Sequence, residues 1–435
     1  MYPNSPNPFV VGTPVAPEKF IGRKSVIQTA FDQIHSRCHL AVWGGLGIGK
    51  TSFLTKIACP DTWIQNGQDP SSAVIVRFSC EEIEPCFSPS GFWTKVLSLL
   101  KDNLHTEPEL QEQVNTLLGQ GQASRDNLRQ VLGELRRKQK LLVLLIDDYD
   151  IALAEHQEYS DENMQRFLSE CRNLAVHAEG KPNISIIVTS KKRLNDISPR
   201  LNPNQSPWYN HYLFRQLKPF DNTEIEQILK PFNKPITTEL RQALVEIAGG
   251  HPRLLQNFCF GLYREELNNN NVSQTEEFIN DFERNTQPFF DILWQKCNSK
   301  EQNLLMLMAL SKLRGRLHQR RRYDLTDIEL ILTQNDRILN SLEEQGVIKG
   351  VLNNGNKTFI FTSSLMEKWV IQEIWNSNDD SLIQRQKEFL NLMSHQQSEN
   401  MKNAIVWIGK NKDDVISSLK FVYPIIEKII KFFMV

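Results

Sequence analysis

The string Gly44-Gly45-Leu46-Gly47-Ile48-Gly49-Lys50-Thr51 follows directly on the apolar run 39–43 and opens into a helix-prone stretch, 52–58. A strand that ends in a glycine-rich turn and restarts as a helix constrains the fold more than any other segment. It aims a row of backbone N–H groups at one point, beside the positive end of a helix. The eight residues match GxxxxGK[ST], a phosphate-binding loop. In that pattern the glycines let the amides turn inward, Lys50 brings a point charge to terminal phosphates, and Thr51 offers a hydroxyl to Mg²⁺. The expected phosphate contacts are therefore Gly44, Gly45, Leu46, Gly47, Ile48, Gly49, Lys50, Thr51 and Ser52. A short string can match by chance, but a chance match would lack the strand before it and the helix after it.

About a hundred residues on, the run 140–146 is continuously apolar after Lys140 and ends in Asp147 and Asp148. An uninterrupted apolar strand suits the centre of a parallel sheet covered on both faces. A carboxylate at its C-terminal end can hold the Mg²⁺ of a bound triphosphate, the arrangement called Walker B. Asp147 is the expected metal-side acid, together with Thr51. Asp148 is the candidate to orient or deprotonate water, so that Lys50, Asp147 and Asp148 form the expected catalytic set.

Length and charge limit what else the chain can be. Its 435 residues suffice for two to four domains. Fifty basic against 51 acidic residues leave no global field toward nucleic acid or anionic lipid. Seven scattered cysteines without a CxxC pair argue against a disulfide framework and a zinc site, and fit a reducing cytoplasm. The proline-rich start lacks the basic and apolar regions of a signal peptide, and no apolar stretch is long and clean enough to span a bilayer.

Further along, 72–78 and 183–190 read as strands separated by helical segments that include 92–104 and 127–137. Strands alternating with helices predict an α/β fold with a parallel, doubly wound sheet and its ligand at the carboxyl edge. From Phe214 onward the strands are expected to stop. Helices at 221–229 and 239–248, a break at Gly249-Gly250-His251-Pro252, and a helix at 253–267 predict a small helical domain.

Four features now resemble one family, the STAND branch of the AAA+ P-loop ATPases, which are signal-transduction switches also similar to origin-recognition ATPases. They are Phe20-Ile21-Gly22-Arg23, the loop 44–51, Asp147-Asp148, and the break 249–252. The resemblance covers roughly residues 8–375. It implies an ATP/ADP and Mg²⁺ site in which Ile21, Gly22, Arg23 and Pro252 line the purine pocket. It also implies that Ser190 and Lys191, ending the fourth strand, sense the γ-phosphate. Relatives often carry Arg where this chain has Lys191, and an acid where it has Lys24. Lys191 lacks the bidentate fork of arginine, and Arg193 is a neighbouring substitute whose role the sequence does not fix.

Residues 300–375 resemble the winged helix that follows the lid in such switches, with helices at 301–312, 325–332 and 336–345. A hairpin is expected from 347–351 and 358–362 about Asn353-Asn354-Gly355-Asn356. The second helix carries Asp336, Glu343 and Glu344 against Arg337, the wrong balance for phosphate contact. Arg314, Arg316, Arg320, Arg321 and Arg322 form a basic cluster before it, readable as a solvated face, a partner contact or, with less support, a nucleic-acid contact. In the tail, 384–394 and 400–409 look helical. The segment 413–435 is apolar with Lys420, Glu427, Lys428 and Lys431 interspersed, and Pro424 is expected to kink it. Those charges rule out a spanning helix and leave three readings: docking on a protein, lying on a membrane, or packing on its own chain.

The expected organisation is an extended N-terminal arm (1–17), a P-loop nucleotide-binding domain (18–213), a helical lid (214–290), a winged helix (291–376) and a helical tail (377–435). The expected function is an ATP-binding conformational switch, a slow Mg²⁺-dependent ATPase coupled to a protein partner or to self-oligomerisation in a bacterial defence or regulatory system. The alternatives are a DNA-directed AAA+ loader or regulator and a nucleotide-binding scaffold without turnover.

Overall fold

Why some strands in this chain are apolar throughout and others alternate becomes clear from the sheet they build. A computed structural model of the chain describes residues 6–176, 183–199, 207–232, 237–268, 275–317, 323–325, 328–353, 356–375, 389–390 and 392–434. It divides into two units, Pro14–Leu217 and Met1–Thr13 with Lys218–Val435.

In the unit Pro14–Leu217 the elements run α1 (Lys24–Ser36), β1 (His39–Trp43), α2 (Lys50–Ala58), α3 (Pro60–Gln65), β2 (Ala73–Ser79), α4 (Pro89–Asp102), α5 (Pro108–Gly119), α6 (Arg125–Arg137), β3 (Leu141–Asp147), α7 (Asp161–Val176), β4 (Ile184–Ser190) and β5 (Tyr212–Gln216). The strands form one parallel sheet in the order β2-β3-β4-β1-β5. Strands β1, β3 and β4 are its centre and are buried along nearly their whole length, whereas β2 and β5 are the edges and interleave buried with more exposed residues. Two cores cover the faces. One packs α4–α7 through Phe87, Phe92, Trp93 and Phe167, and the other packs α1–α3 through Phe31, Phe53 and Trp63. The expected parallel α/β sheet is present. Strand β5 carries it through Gln216, past the expected end at 213, because this edge strand has only the short apolar stretch Tyr212–Phe214 before Arg215 and Gln216 and lacks the long apolar run of β3.

The second unit is mostly helical: α8 (Asn222–Leu229), α9 (Thr238–Ala248), α10 (Pro252–Asn268), α11 (Thr275–Lys296), α12 (Ser299–Arg316), α13 (Ile328–Gln334) and α14 (Asp336–Glu344). The antiparallel pair β6 (Ile348–Asn353) and β7 (Asn356–Phe361) follows. The chain then continues through α15 (Ser364–Trp375), α16 (His395–Lys410), α17 (Lys412–Leu419) and α18 (Val422–Met434). Helix α12 is buried on nearly every side through Leu304, Leu305, Leu307, Met308, Leu310 and Leu313, so it forms the centre of this unit. Helix α9 ends at Gly249 and Gly250, both left-handed (φ 59° and 70°). A Cβ on either would stand 2.5 Å from a carbonyl oxygen, of Thr362 and Phe220 respectively, so this break requires glycine twice.

The described part of the arm 1–17 is held in place: Phe9 is buried and stacked on Phe232, and Asn7 and Val10 bond to Phe260 and Gln256 within the second unit. Residues 15–17 instead run along α2, where Val15 N–H donates to Ser52 Oγ and Lys56 Nζ to the Pro17 carbonyl. In the expected helix 384–394, residues 384–388 and 391 lie outside the described residues, and Ser394 caps α16 from outside. In the tail, Val422, Ile426, Ile429 and Ile430 of α18 are buried against α9, α10 and α11. Of the three readings of this segment, packing on its own chain is the one this burial matches. Pro424 stands in the first turn of α18, where the N–H it lacks has no intrahelical acceptor, and the helix continues through Met434. No described helix is long and apolar enough to cross a membrane.

Candidate nucleotide-binding site

Strand β1 delivers the loop 44–49 to the carboxyl edge of the sheet, between its neighbours β4 and β5. Gly44 N–H donates to the Ser190 carbonyl at 3.2 Å, and Leu217 N–H donates to the Trp43 carbonyl at 2.8 Å, so both flanking strands hold the base of the loop. A Cβ on Gly44 would lie 2.8 Å from the Leu217 carbonyl oxygen; only glycine fits there. Gly47 and Gly49 are left-handed, at φ 71° and 101°, and Gly49 hands the chain to α2.

Lys50 starts α2 and folds back, its ammonium donating to the carbonyls of Gly44 (2.9 Å) and Gly45 (3.0 Å). It is 8% exposed, and among the described residues no carboxylate lies within ion-pair distance of it. Burial pushes its pKa below the ordinary lysine range, against the pull of Asp147, Asp150 and Asp148. A buried ammonium with only neutral acceptors fits an anion at the loop, which is the fit that a nucleotide's phosphates require.

Asp147 ends β3 with both carboxylate oxygens engaged. Thr51 Oγ1 donates to one at 2.5 Å, and Thr189 Oγ1 of β4, fully buried, donates to the other. The expected metal pair, Thr51 and Asp147, therefore touch. Asp148 has a left-handed backbone (φ 48°) and its Oδ2 accepts from Ser79 Oγ at the end of β2, 3.0 Å away. Burial, and then the charges of Asp147 and Glu81, raise the Asp148 carboxyl above its usual range, with Ser79 and Lys191 opposing. Asp150 accepts from the backbone N–H of Lys191 at 3.3 Å and pairs with its ammonium at 3.1 Å.

Ser79, Asp150 and Thr189 were not singled out in the sequence reading. Asp150 was visible as the third acid of Asp147-Asp148-Tyr149-Asp150, and Thr189 as the hydroxyl before Ser190. Ser79 carried no local signal, since only the β2–β3 register places it opposite Asp147. In the box Ile21-Gly22-Arg23, Gly22 and Arg23 are left-handed, and Arg23 Nη2 lies 3.5 Å from the Ile48 carbonyl, which brings the box to the loop. Ser190 Oγ donates to the Lys192 carbonyl at 2.6 Å. Arg193 lies over the rings of Phe214 (5.0 Å) and Trp43 (5.6 Å). Pro252 is in the other unit, where it starts α10. Cavities of about 460 and 450 Å³ are lined wholly by residues of that second unit and by none of the loop residues.

The family profile of the AAA-like domain matches residues 12–343, three quarters of the chain. The chain belongs to the AAA-like domain family. The match spans the sheet and the helices through most of α14, and stops before β6. Among solved structures, this AAA-like chain is similar to a Walker-type ATPase of Pyrococcus abyssi. The TM-score is 0.54 at 14% identity, covering 83% of this chain and 99% of that one, a likeness of fold alone. It is also similar to the Aeropyrum pernix ORC2 protein (TM-score 0.48, 13% identity, 88% and 92% covered) and to domain III of the Thermotoga maritima replication initiation protein DnaA (0.35, 18%, 63% and 98%). At those scores the last two carry no argument. No curated protein matches this chain significantly.

Proposed function

We propose that this AAA-like protein is an ATP-dependent conformational switch of the STAND type, in which Mg²⁺-ATP bound at 44–51 biases the helical lid α8–α11 and a winged helix made of α12–α14 with β6 and β7. The observation that carries the reading is the Lys50 ammonium, buried and short of an anion, beside the hydrogen-bonded chain Thr51-Asp147-Thr189. When bound, Mg²⁺-ATP supplies a terminal phosphate made electrophilic by the cation. Every other part falls to the protein. Lys50 and the loop amides bind the phosphates, Thr51 and Asp147 hold the cation, and the raised carboxyl of Asp148 orients or deprotonates water. Ile21, Gly22 and Arg23 are read as purine contacts, with Arg23 already at the loop carbonyl of Ile48.

The test is turnover against binding in Asp148→Asn. The account expects Mg²⁺-ATP affinity within about threefold of wild type and turnover slowed by roughly 10²-fold or more. Lost binding with unchanged turnover per bound nucleotide overturns the assignment.

A further inference from the structure

Of the three acids at and just after the end of β3, two are committed: Asp147 to Thr51 and Thr189, and Asp148 to Ser79. The third, Asp150, grips residue 191 twice, through the backbone N–H and through the ammonium. Lys191 follows Ser190, whose carbonyl accepts from Gly44 at the base of the phosphate loop. The Asp150–Lys191 pair therefore ties the acidic loop after β3 to the strand end that supports the phosphate loop.

The pair adjoins the phosphate loop, because Ser190, one residue before Lys191, accepts from the Gly44 N–H at 3.2 Å and Gly44 also accepts from the Lys50 ammonium at 2.9 Å. It is only partly buried, with side chains 18% and 28% exposed, so the ammonium can leave without abandoning a buried carboxylate. Burial alone would lower the Lys191 pKa, but Asp150 first, then Asp148 and Glu81, more than offset it and keep the side chain cationic. One ammonium thus has two anionic claimants: Asp150, and whatever phosphate lies beyond Lys50.

We propose that Asp150 is a positioning residue that holds Lys191 in reserve and thereby sets how strongly the site prefers a nucleoside triphosphate over a diphosphate. This rests on the nucleotide-binding reading given above. The terminal phosphate of the triphosphate competes with Asp150 for Lys191, and the diphosphate, which has no group at that position, leaves the pair closed. Asp150 is then the counterweight: a stronger grip lowers the preference for triphosphate, and a weaker grip raises it.

The experiment is an equilibrium titration of wild type, Asp150→Asn, Lys191→Met and the double variant with a Mg²⁺-bound non-hydrolysable ATP analogue and with Mg²⁺-ADP, each protein's melting temperature being recorded. The readout is the ratio of the two affinities. Removing Asp150's charge strengthens any anion somewhat, and taking the ratio in both Lys191 backgrounds removes that general effect. The expected result is a ratio raised about fivefold by Asp150→Asn. Lys191→Met should lower it, Asp150→Glu should return it toward wild type, and Asp150→Asn should not change it once Lys191 is Met. A ratio equal in all proteins, or one that Asp150→Asn shifts equally in the Lys191→Met background, overturns the inference and leaves the nucleotide reading standing. So does a lowered melting temperature of Asp150→Asn with an unmoved ratio. Wild-type protein that binds neither nucleotide overturns both.

Discussion

Ile429 sits in the middle of α18, fully buried, in the helix whose apolar face lies on α9, α10 and α11. Replacing it with alanine removes three buried carbons and leaves a cavity that three packed helices cannot readily close. Such changes cost about 2–5 kcal/mol. For a unit of roughly this size, each kcal/mol moves the melting temperature by about 2–4 °C, so the expected drop is roughly 5–15 °C in the second unit. The chain has two units, and its unfolding need not be a single transition. The assay is therefore calorimetric melting of Ile429→Ala beside wild type, each with and without Mg²⁺-ATP, so that the nucleotide-stabilised transition marks the other unit. The account expects the transition that nucleotide does not stabilise to fall and the nucleotide response to survive. A melting profile unchanged within about 1 °C, joined by wild-type binding to anionic vesicles that the substitution abolishes, would restore the membrane-docking reading and refute the packing argument.

Two other outcomes follow from particular side chains. His39 is buried and His211 half-buried with both ring nitrogens shut off from solvent, their rings lie 5.2 Å apart, and their pKa values fall from 6.5 to about 4 and about 3, in both cases chiefly through burial. Folded, they stay neutral at pH 5, whereas the unfolded chain takes up protons below about 6.5; their contribution is complete above that value and is lost as pH falls toward 4. Between pH 7 and 5 the pair should cost roughly 3 kcal/mol, read as a lower urea midpoint, and His211→Phe should remove about half of that pH dependence; an identical dependence in the variant contradicts the reasoning. The acidic face of α14 should also keep duplex DNA away. Glu343 already holds Lys357 at 2.8 Å and the Gly350 N–H at 2.7 Å, so the helix neutralises the hairpin's own cation. Submicromolar duplex binding at physiological salt, steeply salt-dependent and lost when Arg320, Arg321 and Arg322 become alanine, would favour the DNA-directed alternative. Those three arginines lie outside the described residues.

The centre of the sheet was legible because burial on both faces writes a dense apolar run, unbroken in 141–146 and interrupted only by Ser185 in 184–188. The extent of edge strand β5 was not legible, since its apolar stretch Tyr212–Phe214 is short, Arg215 and Gln216 follow it, and its pairing with β1 is non-local. Much the same holds at the site. The loop and the acids were readable because their neighbours in sequence are their neighbours in space. Ser79 and Thr189 act on Asp148 and Asp147 across strands, and spacing along the chain cannot show that. The tail's helical period announced an apolar face but not what it would meet. Three helices from an earlier stretch cover it, and neither their number nor their identity is written in 413–435.

The most direct test of the central claim is an equilibrium titration of wild type and Lys50→Ala with Mg²⁺-ATP, since a single buried ammonium held by the Gly44 and Gly45 carbonyls is what the site rests on. The account predicts that wild type binds, that the substitution weakens binding by about 100-fold or more, and that the fold survives because the side chain serves an anion rather than the core. Equal affinity in the two proteins would contradict it.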